Sequence, residues 1–561
     1  MAVPKFICAN WSPDQTDCNK EGKYTCKNCR LILTDSTAVQ TAKSLIGLIT
    51  RLTPAWVLEN RTPEFIRSGI VVMGEEKYLW GNVPALDVLK LASNEGESYG
   101  EDLRLLFAAS GDLRNVIKTL TDLPVNYNQS VSVTINDRDF DVVARNIILT
   151  LVALVVDDRD KAIDCIIHIW YSALVRDSDI DILWNRVRPL VQEICEEVNS
   201  KPPGALLAKT WKFGNRSLRV VLEQSSWNRL LSYFRVPAGL TPEQAIKVRT
   251  NNTLDPSRQD YRDRHMSVLS PVQRIPFHKF RQDGLLLPFG MPRHEFNNPN
   301  PTLYQTPDSW PMPDSADPLN SWSLEDVLHT SSGPATADTY GKLYFHLRGV
   351  FGSFMHRISD AEVSFEFHHV DASYLPNRLQ TGSFSRIDNA NYAVLGVEHL
   401  RHRISGDTLY LMIPLLQPHT ENPHATVITL FMNAIDQVMT DADRMQIIEH
   451  DSRIKKDLPR FLPQNTRPCS PYDPSIVKMV FAGGVIARHD HIFNRYQNGL
   501  HFREAGEAFG ARMKKRHTIV DRWPCRLKLR PDQAGAQEEF DRCMRQGNTG
   551  KERFVEWKRM E

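Results

Sequence analysis

Long hydrophobic runs are missing from this chain. Its most apolar stretch, Ile147 to Val156, stops at Asp157-Asp158, well short of the ~20 residues a membrane-crossing helix needs. The first residues, Met1-Ala2-Val3-Pro4-Lys5-Phe6, lack the apolar core of a secretory signal. These absences predict a cytoplasmic protein, with the nucleus as the alternative compartment, and no membrane partner. An excess of one charge is missing too. Lys+Arg number 68 against 67 Asp+Glu, which removes any global attraction to specific nucleic acid or to anionic lipid. GxSxG, HExxH and Walker-type sequences are absent, so hydrolase and NTPase chemistry have no support. Phe481-Ala482-Gly483-Gly484-Val485 reads as an apolar turn without the GK[ST] that a phosphate loop requires.

Cysteine is sparse except at one end. Five of the nine cysteines (Cys165, Cys195, Cys469, Cys525, Cys543) are scattered, and four crowd into the first 29 residues: Cys8, Cys18, Cys26 and Cys29. A crowded N-terminal group in a chain without a secretory signal argues for metal more than disulfide. Cys26-Lys27-Asn28-Cys29 is the spacing that lets two thiolates reach one tetrahedral zinc. Together with Cys8, Cys18 and the lead-in Gly22-Lys23-Tyr24, it resembles the first half of a MYND zinc finger. That resemblance implies zinc held by Cys8, Cys18, Cys26 and Cys29, in a cross-braced pattern that gives each cysteine pair to a different ion, and a finger that docks other proteins. The remaining ligands of the pattern are absent, because Arg30 to Leu58 contains neither Cys nor His. Two thiolates hold zinc poorly, and such fingers fold only with metal. Read two nucleotides out of frame, the codons from Ser36 to Arg51 permit, without requiring, Tyr-Cys-Ser-x-Asp-Cys-Gln-x-x-His-Trp-x-x-His-Lys. That string is the missing half, and it points to a frame slip or a mis-spliced junction.

At 561 residues the chain has room for two to four domains. Its organising stretch runs from Leu79 to Asp141. Leu103 to Ala108 predicts a strand, Ser110-Gly111-Asp112 a turn, Leu113 to Leu120 a helix, and Ser130 to Ile135 a second strand closed by Asn136-Asp137-Arg138-Asp139. Strand, glycine turn, helix and acid-tipped strand open a nucleotide-binding type of α/β unit. Gly111 supplies the turn, Asp112 caps the helix through Asn115, and Asp137 and Asp139 stand where a carboxylate grips a ribose diol. Ala144 to Val156 continues as a helix.

The pattern WGNxPAxDxLxLxxNEG from Trp80, followed by GDxRNVxxTL from Gly111, resembles a domain of unknown function. That domain is found in fungal proteins behind a MYND finger and at the N-terminus of a dynein axonemal assembly factor. The layout is also similar to class I methyltransferases that bind S-adenosylmethionine, although the turn has one glycine where those enzymes use several. Close backbone approach to a cofactor needs residues without Cβ, so a retained fold with an altered crevice is the expectation.

Further along, Ile163 to Val198 reads as helical, with His168 in the core. Residues 201–335 read as a helical insertion ending in a loop or linker rich in Pro, Asn, Ser and Asp. Within it, the charged runs Arg258–Arg264 and His278–Arg281 read as solvated helix faces. The core resumes at residues 336–450, with a strand signal at Ala361–Phe367. Phe384–Asn391 resembles the family's strand-plus-turn, which would put Asp388 and Asn389 facing the ligand crevice, and Asn422–Asn433, a further family match, reads as a turn followed by a buried strand. Residues 451–561 read as helical, including Phe502–Lys515 and Gln537–Met560. His489 and His491 lack a third ligand and read as surface residues.

The expected architecture is therefore an α/β, Rossmann-like (methyltransferase-like) sheet, with its halves in residues 54–200 and 336–450, flanked by an incomplete zinc finger in residues 1–50 and a helical C-terminal region. The expected function is that of an interaction scaffold or assembly-type protein with zinc at its N-terminus and a non-catalytic core. The alternative is a methyltransferase that binds S-adenosylmethionine through Gly111, Asp112, Asp137 and Asp388.

Overall fold

The computed structural model describes residues 24–25, 33–34, 53–67, 72–75, 77–389, 404–462, 472–546 and 550–560. Cys8, Cys18, Cys26 and Cys29, the expected zinc ligands, lie outside the described residues. The fold is mixed α/β, organised on a nine-stranded sheet whose strands we number in chain order. They are β1 (Leu103–Phe107), β2 (Val131–Asp137), β3 (Leu206–Phe213), β4 (Arg216–Glu223), β5 (Val363–His369), β6 (Arg386–Asp388), β7 (Thr426–Phe431), β8 (Ala511–Met513) and β9 (Arg553–Arg559). Their spatial order is β8-β9-β7-β6-β1-β2-β5-β4-β3. Six central strands, β7 to β4 in that order, pair in parallel. The outer hairpin partner β3 and the strand β9 run antiparallel to their neighbours, as does β8 against β9.

Alternation along β1 explains why the sheet has helices on both faces. Leu103, Leu105 and Phe107 enter one hydrophobic core with Val133, Ile135, Phe365 and Phe367. Leu106 and Ala108 point into a second core with Ile387, Val427 and Trp557. A strand with apolar residues buried on both faces, interrupted only by the partly exposed Arg104, is the signature of a central parallel strand. Between the first strands lie helix α1 (Arg114–Thr121) and α2 (Phe140–Val155). Nearly every residue of α2 is buried, including Arg145, whose guanidinium donates to Thr302 Oγ1 at 2.6 Å and to the Trp170 carbonyl at 2.9 Å. Burial pulls the Arg145 pKa down to about 10. A third helix, α3 (Thr339–Asp360), leads into β5 and packs against α1.

The segment between β2 and β5 is not purely helical. It includes the hairpin β3–β4, turned at Gly214 with φ +67°, and that hairpin extends the sheet beyond β5. The Pro- and Asn-rich loop that follows is packed, not a free linker: Tyr304, Trp310, Met312 and Trp322 are buried. Asn300 Nδ2 ties it down through the carbonyls of Ile169 (2.9 Å) and Ser172 (2.8 Å). The charged run from Arg258 also departs from the solvated reading. Asp260 and Asp263 are buried because they receive the segment before the core: Arg61 Nη1 donates to Asp260 at 2.5 Å and the Ala55 amide to Asp263 at 2.9 Å. Arg281 is buried as well, donating to the Asp314 carbonyl at 2.5 Å.

The C-terminal region corrects the all-helical expectation. Phe502–Ala508 and Ala536–Arg545 are helices, yet β8 and β9 follow them. Arg553-Phe554-Val555-Glu556-Trp557 is buried on both faces beside β7. Phe481–Val485 belongs to the helix Pro474–Ile486, not to a turn. His489 is buried, with its pKa lowered to about 4 by desolvation; it is not a surface residue. His168 is a core residue, as the sequence predicts, set against Phe296 at 4.8 Å between ring centres.

Candidate functional site

In open α/β sheets ligands bind outside the carboxyl ends of parallel strands, at the point where the strand order reverses. Here that point lies between β1 and β6, since β2 flanks β1 on one side and β6 on the other. The expected site residues Gly111, Asp112, Asp137 and Asp388 all sit on the carboxyl ends or following turns of these three strands.

Their bonding is internal. Gly111, at φ +56°, turns the chain after β1, and its amide donates to Asp137 Oδ2 at 2.9 Å. Asp137 Oδ1 accepts the Asp139 amide at 2.9 Å. Burial raises the pKa of Asp137 against these two amide bonds. The Gly111 carbonyl accepts Asn146 Nδ2 at 2.7 Å, and Asn136 Nδ2 holds the Ala108 carbonyl at 2.8 Å. The turn is thereby pinned to both β2 and α2.

Asp112 does not cap α1 through Asn115 as the sequence suggests. Its Oδ2 accepts the Gly81 amide at 2.8 Å, and its Oδ1 accepts Arg114 Nη1 at 2.5 Å. Arg114 Nε in turn donates to the Val83 carbonyl at 2.9 Å. Gly81, the glycine of the WGN motif, is needed because a Cβ there would overlap the Arg114 guanidinium. Asn115 instead reaches across the crevice: its Nδ2 donates to Asp388 Oδ2 at 2.8 Å while its Oδ1 accepts the Leu86 amide at 3.0 Å. Next to Asp388, Asn389 is fully buried and neither atom of its side-chain amide has a hydrogen-bond partner among the described residues.

The other acids after β2 are equally committed. Asp139 caps α2 by accepting the Asp141 amide at 2.8 Å. Asp141 is a buried hub for Lys77, Tyr233 and Arg229, the last at 2.5 Å. Burial opposes its charge, but the bonds from Lys77 and Tyr233 hold its pKa below the usual carboxylate range. Sequence reasoning missed this hub, whose cations come from residues 64 and 88 positions away.

Among the described residues no group of three or more His, Cys, Asp or Glu is placed to hold a metal ion. No described helix is long and apolar enough to cross a membrane. Residues 79–175 match a family model described as "Domain of unknown function (DUF4470)". The match spans β1, α1, β2 and α2, so it contains Gly81, Gly111, Asp112 and Asp137 but not Asp388. No curated protein and no solved structure matches the chain.

Proposed function

We propose that the chain is an interaction scaffold of the assembly type: a MYND-type zinc-binding N-terminus carried on a non-catalytic, Rossmann-like core. One observation supports the non-catalytic reading most directly. The polar groups that would receive a nucleotide-like cofactor are already bonded to the protein, Asp137 to the Gly111 amide and Asp388 to Asn115. A ligand would have to displace these bonds, and leaving buried polar groups unpaired costs ~1–3 kcal/mol each. The docking role rests on the sequence: four cysteines at the N-terminus, and the resemblance to fungal MYND proteins and to the dynein assembly factor. A short antiparallel ladder pairs Tyr24–Thr25 with Leu33–Thr34, on either side of Cys26 and Cys29 in the sequence. Other proteins are its partners.

A methyltransferase is the second reading, favoured by the strand order. The central parallel sheet places its crevice where the strand order reverses, the usual ligand position in such sheets, and the Asn389 side-chain amide there has no partner among the described residues. Thermal unfolding with and without S-adenosylmethionine separates the readings. A ligand at 100 times its Kd stabilises by about 2.7 kcal/mol; a shift of that size, lost in Asp137→Ala, would replace the scaffold reading, and an unchanged melting curve supports it.

A further inference from the structure

The β8–β9 edge of the sheet carries an excess of cations that the rest of the chain lacks. From Arg512 to Arg530 there are eight Lys and Arg and one acid, Asp521, in a chain whose charges balance overall. The segment is held in shape by Glu556 of β9, a fully buried carboxylate. Its oxygens accept the backbone amides of Thr518 (3.0 Å), Ile519 (2.9 Å) and Val520 (2.9 Å), and Lys514 Nζ lies 3.1 Å away. His517 Nδ1 donates to the Val520 carbonyl at 3.0 Å while its Nε2 accepts the Glu556 amide at 3.4 Å, so the ring is neutral in this arrangement. These bonds fix the loop as a rigid wall.

The opposite wall is Lys90. It holds a left-handed backbone, φ +43°, a conformation that costs a non-glycine residue ~1–3 kcal/mol. Asn94, four residues on, reaches the loop through the Thr518 carbonyl at 3.4 Å. Between the walls lies a cleft of about 430 Å3 lined by Lys90, Lys515, His517 and the stretch from Thr518 to Arg522. That volume is within the range of small-ligand sites.

Counting its charges decides what fits. Asp521 is engaged by the Trp523 amide at 3.0 Å and by Arg526 and Lys528 at 3.6 and 3.7 Å. The Lys514 charge is matched by Glu556. Lys90, Lys515 and Arg522 have no acidic partner among the described residues. Three uncompensated cations around one preformed cleft call for a multiply charged anion with several acceptor oxygens, which is a phosphate group more than a carboxylate. We propose that this cleft binds a phosphate group, borne by a soluble phosphorylated molecule or by a phosphoinositide headgroup.

The test uses the full chain, a Lys515→Ala/Arg522→Ala double variant, and Arg516→Ala as a control outside the lining. All three substituted side chains are exposed, so folding is expected to be kept, and matching melting curves check it. Inorganic pyrophosphate is titrated calorimetrically at physiological salt, and flotation is scored on phosphatidylcholine vesicles with and without phosphatidylinositol bisphosphate. Saturable pyrophosphate binding that weakens at least ~tenfold in the double variant, and not in Arg516→Ala, identifies a soluble ligand. Flotation with the same variant pattern and no pyrophosphate binding identifies the headgroup. Binding of neither probe, equal weakening by Arg516→Ala, or binding confined to a single-stranded RNA added in parallel overturns the proposal.

Discussion

Glu95 and Arg386 form an ion pair of 2.8 Å across 291 residues of chain, and both side chains are sealed from water. Glu95 belongs to the Asn94-Glu95-Gly96 motif before the sheet, and Arg386 opens β6 in the second half of the core. Arg386 also donates to the Leu89 carbonyl at 3.3 Å, and Asn422, ahead of β7, donates to Glu95 at 3.4 Å. The pair is thus the polar rivet between the sheet's two sequence halves, at the end opposite the crevice. Arg386→Met leaves a buried carboxylate without its cation and is expected to cost ~3–5 kcal/mol in urea unfolding. A Glu95→Leu/Arg386→Met variant removes both charges and should recover most of that loss. If the double variant is no more stable than Arg386→Met, the electrostatic account of this contact fails.

Gly81→Ala tests the crevice architecture. The added methyl would meet the Arg114 guanidinium, whose place is set by Asp112 and by the Val83 carbonyl. Overpacking of this kind costs ~1–3 kcal/mol. Because the damage acts through Arg114, combining Gly81→Ala with Arg114→Ala should give less than the sum of the two single effects. Strict additivity in chemical denaturation would show that the glycine matters for some other reason.

A pH effect follows from Asp338, which caps α3 by accepting the Gly341 amide at 2.9 Å and also accepts the Phe289 amide at 2.6 Å. Full burial outweighs these bonds and lifts its pKa to about 6, above the ~3.9 of an unfolded aspartate. The folded state therefore binds a proton that the unfolded state has released. Stability from this position is present below pH ~4 and is lost as pH rises through about 6, by about 3 kcal/mol. Asp338→Asn cannot titrate, so its stability curve should be flatter than the native one between those values. The slope of melting temperature against pH is the readout; identical slopes would rule Asp338 out as the titrating group.

Much of this fold could be read in advance, and the parts that could not share a cause. β1, the Gly111 turn and β2 were legible because an apolar strand, a lone glycine and an acid-tipped strand are local signals. The buried strand β7 was legible for the same reason. The hairpin β3–β4 carried a usable signal, two alternating runs joined by Gly214-Asn215, hidden by the helical segments around it. β9 had a weak one, Phe554, Val555 and Trp557, outweighed by Arg553, Glu556, Lys558 and Arg559, which favour helix locally; burial beside β7, with three amides answering Glu556, settles it as a strand. The candidate site divides the same way. Residue types and strand ends placed Gly111, Asp137 and Asp388 near one another. That Asp388 is matched to Asn115 depends on a contact 273 residues long, which no local pattern encodes.

The N-terminal cysteines make the sharpest prediction about the gene product itself. Cys26 and Cys29 alone supply two of the four ligands that a zinc ion requires, and in a cross-braced finger Cys8 and Cys18 would serve another ion. A chain with this N-terminus is expected to retain substoichiometric zinc after dialysis against a weak chelator. A chain in which residues 36–51 are replaced by the out-of-frame reading should retain two zinc ions, and Cys26→Ser/Cys29→Ser should remove one of them. Atomic emission on the purified proteins measures all three. Transcript sequencing across the codons for Ser36 to Arg51 then decides which form is made, because an alternative junction must appear there if the complete finger is the natural one. A single junction, matching the present frame in every transcript, would leave the chain with half a finger and shift the docking role onto the core.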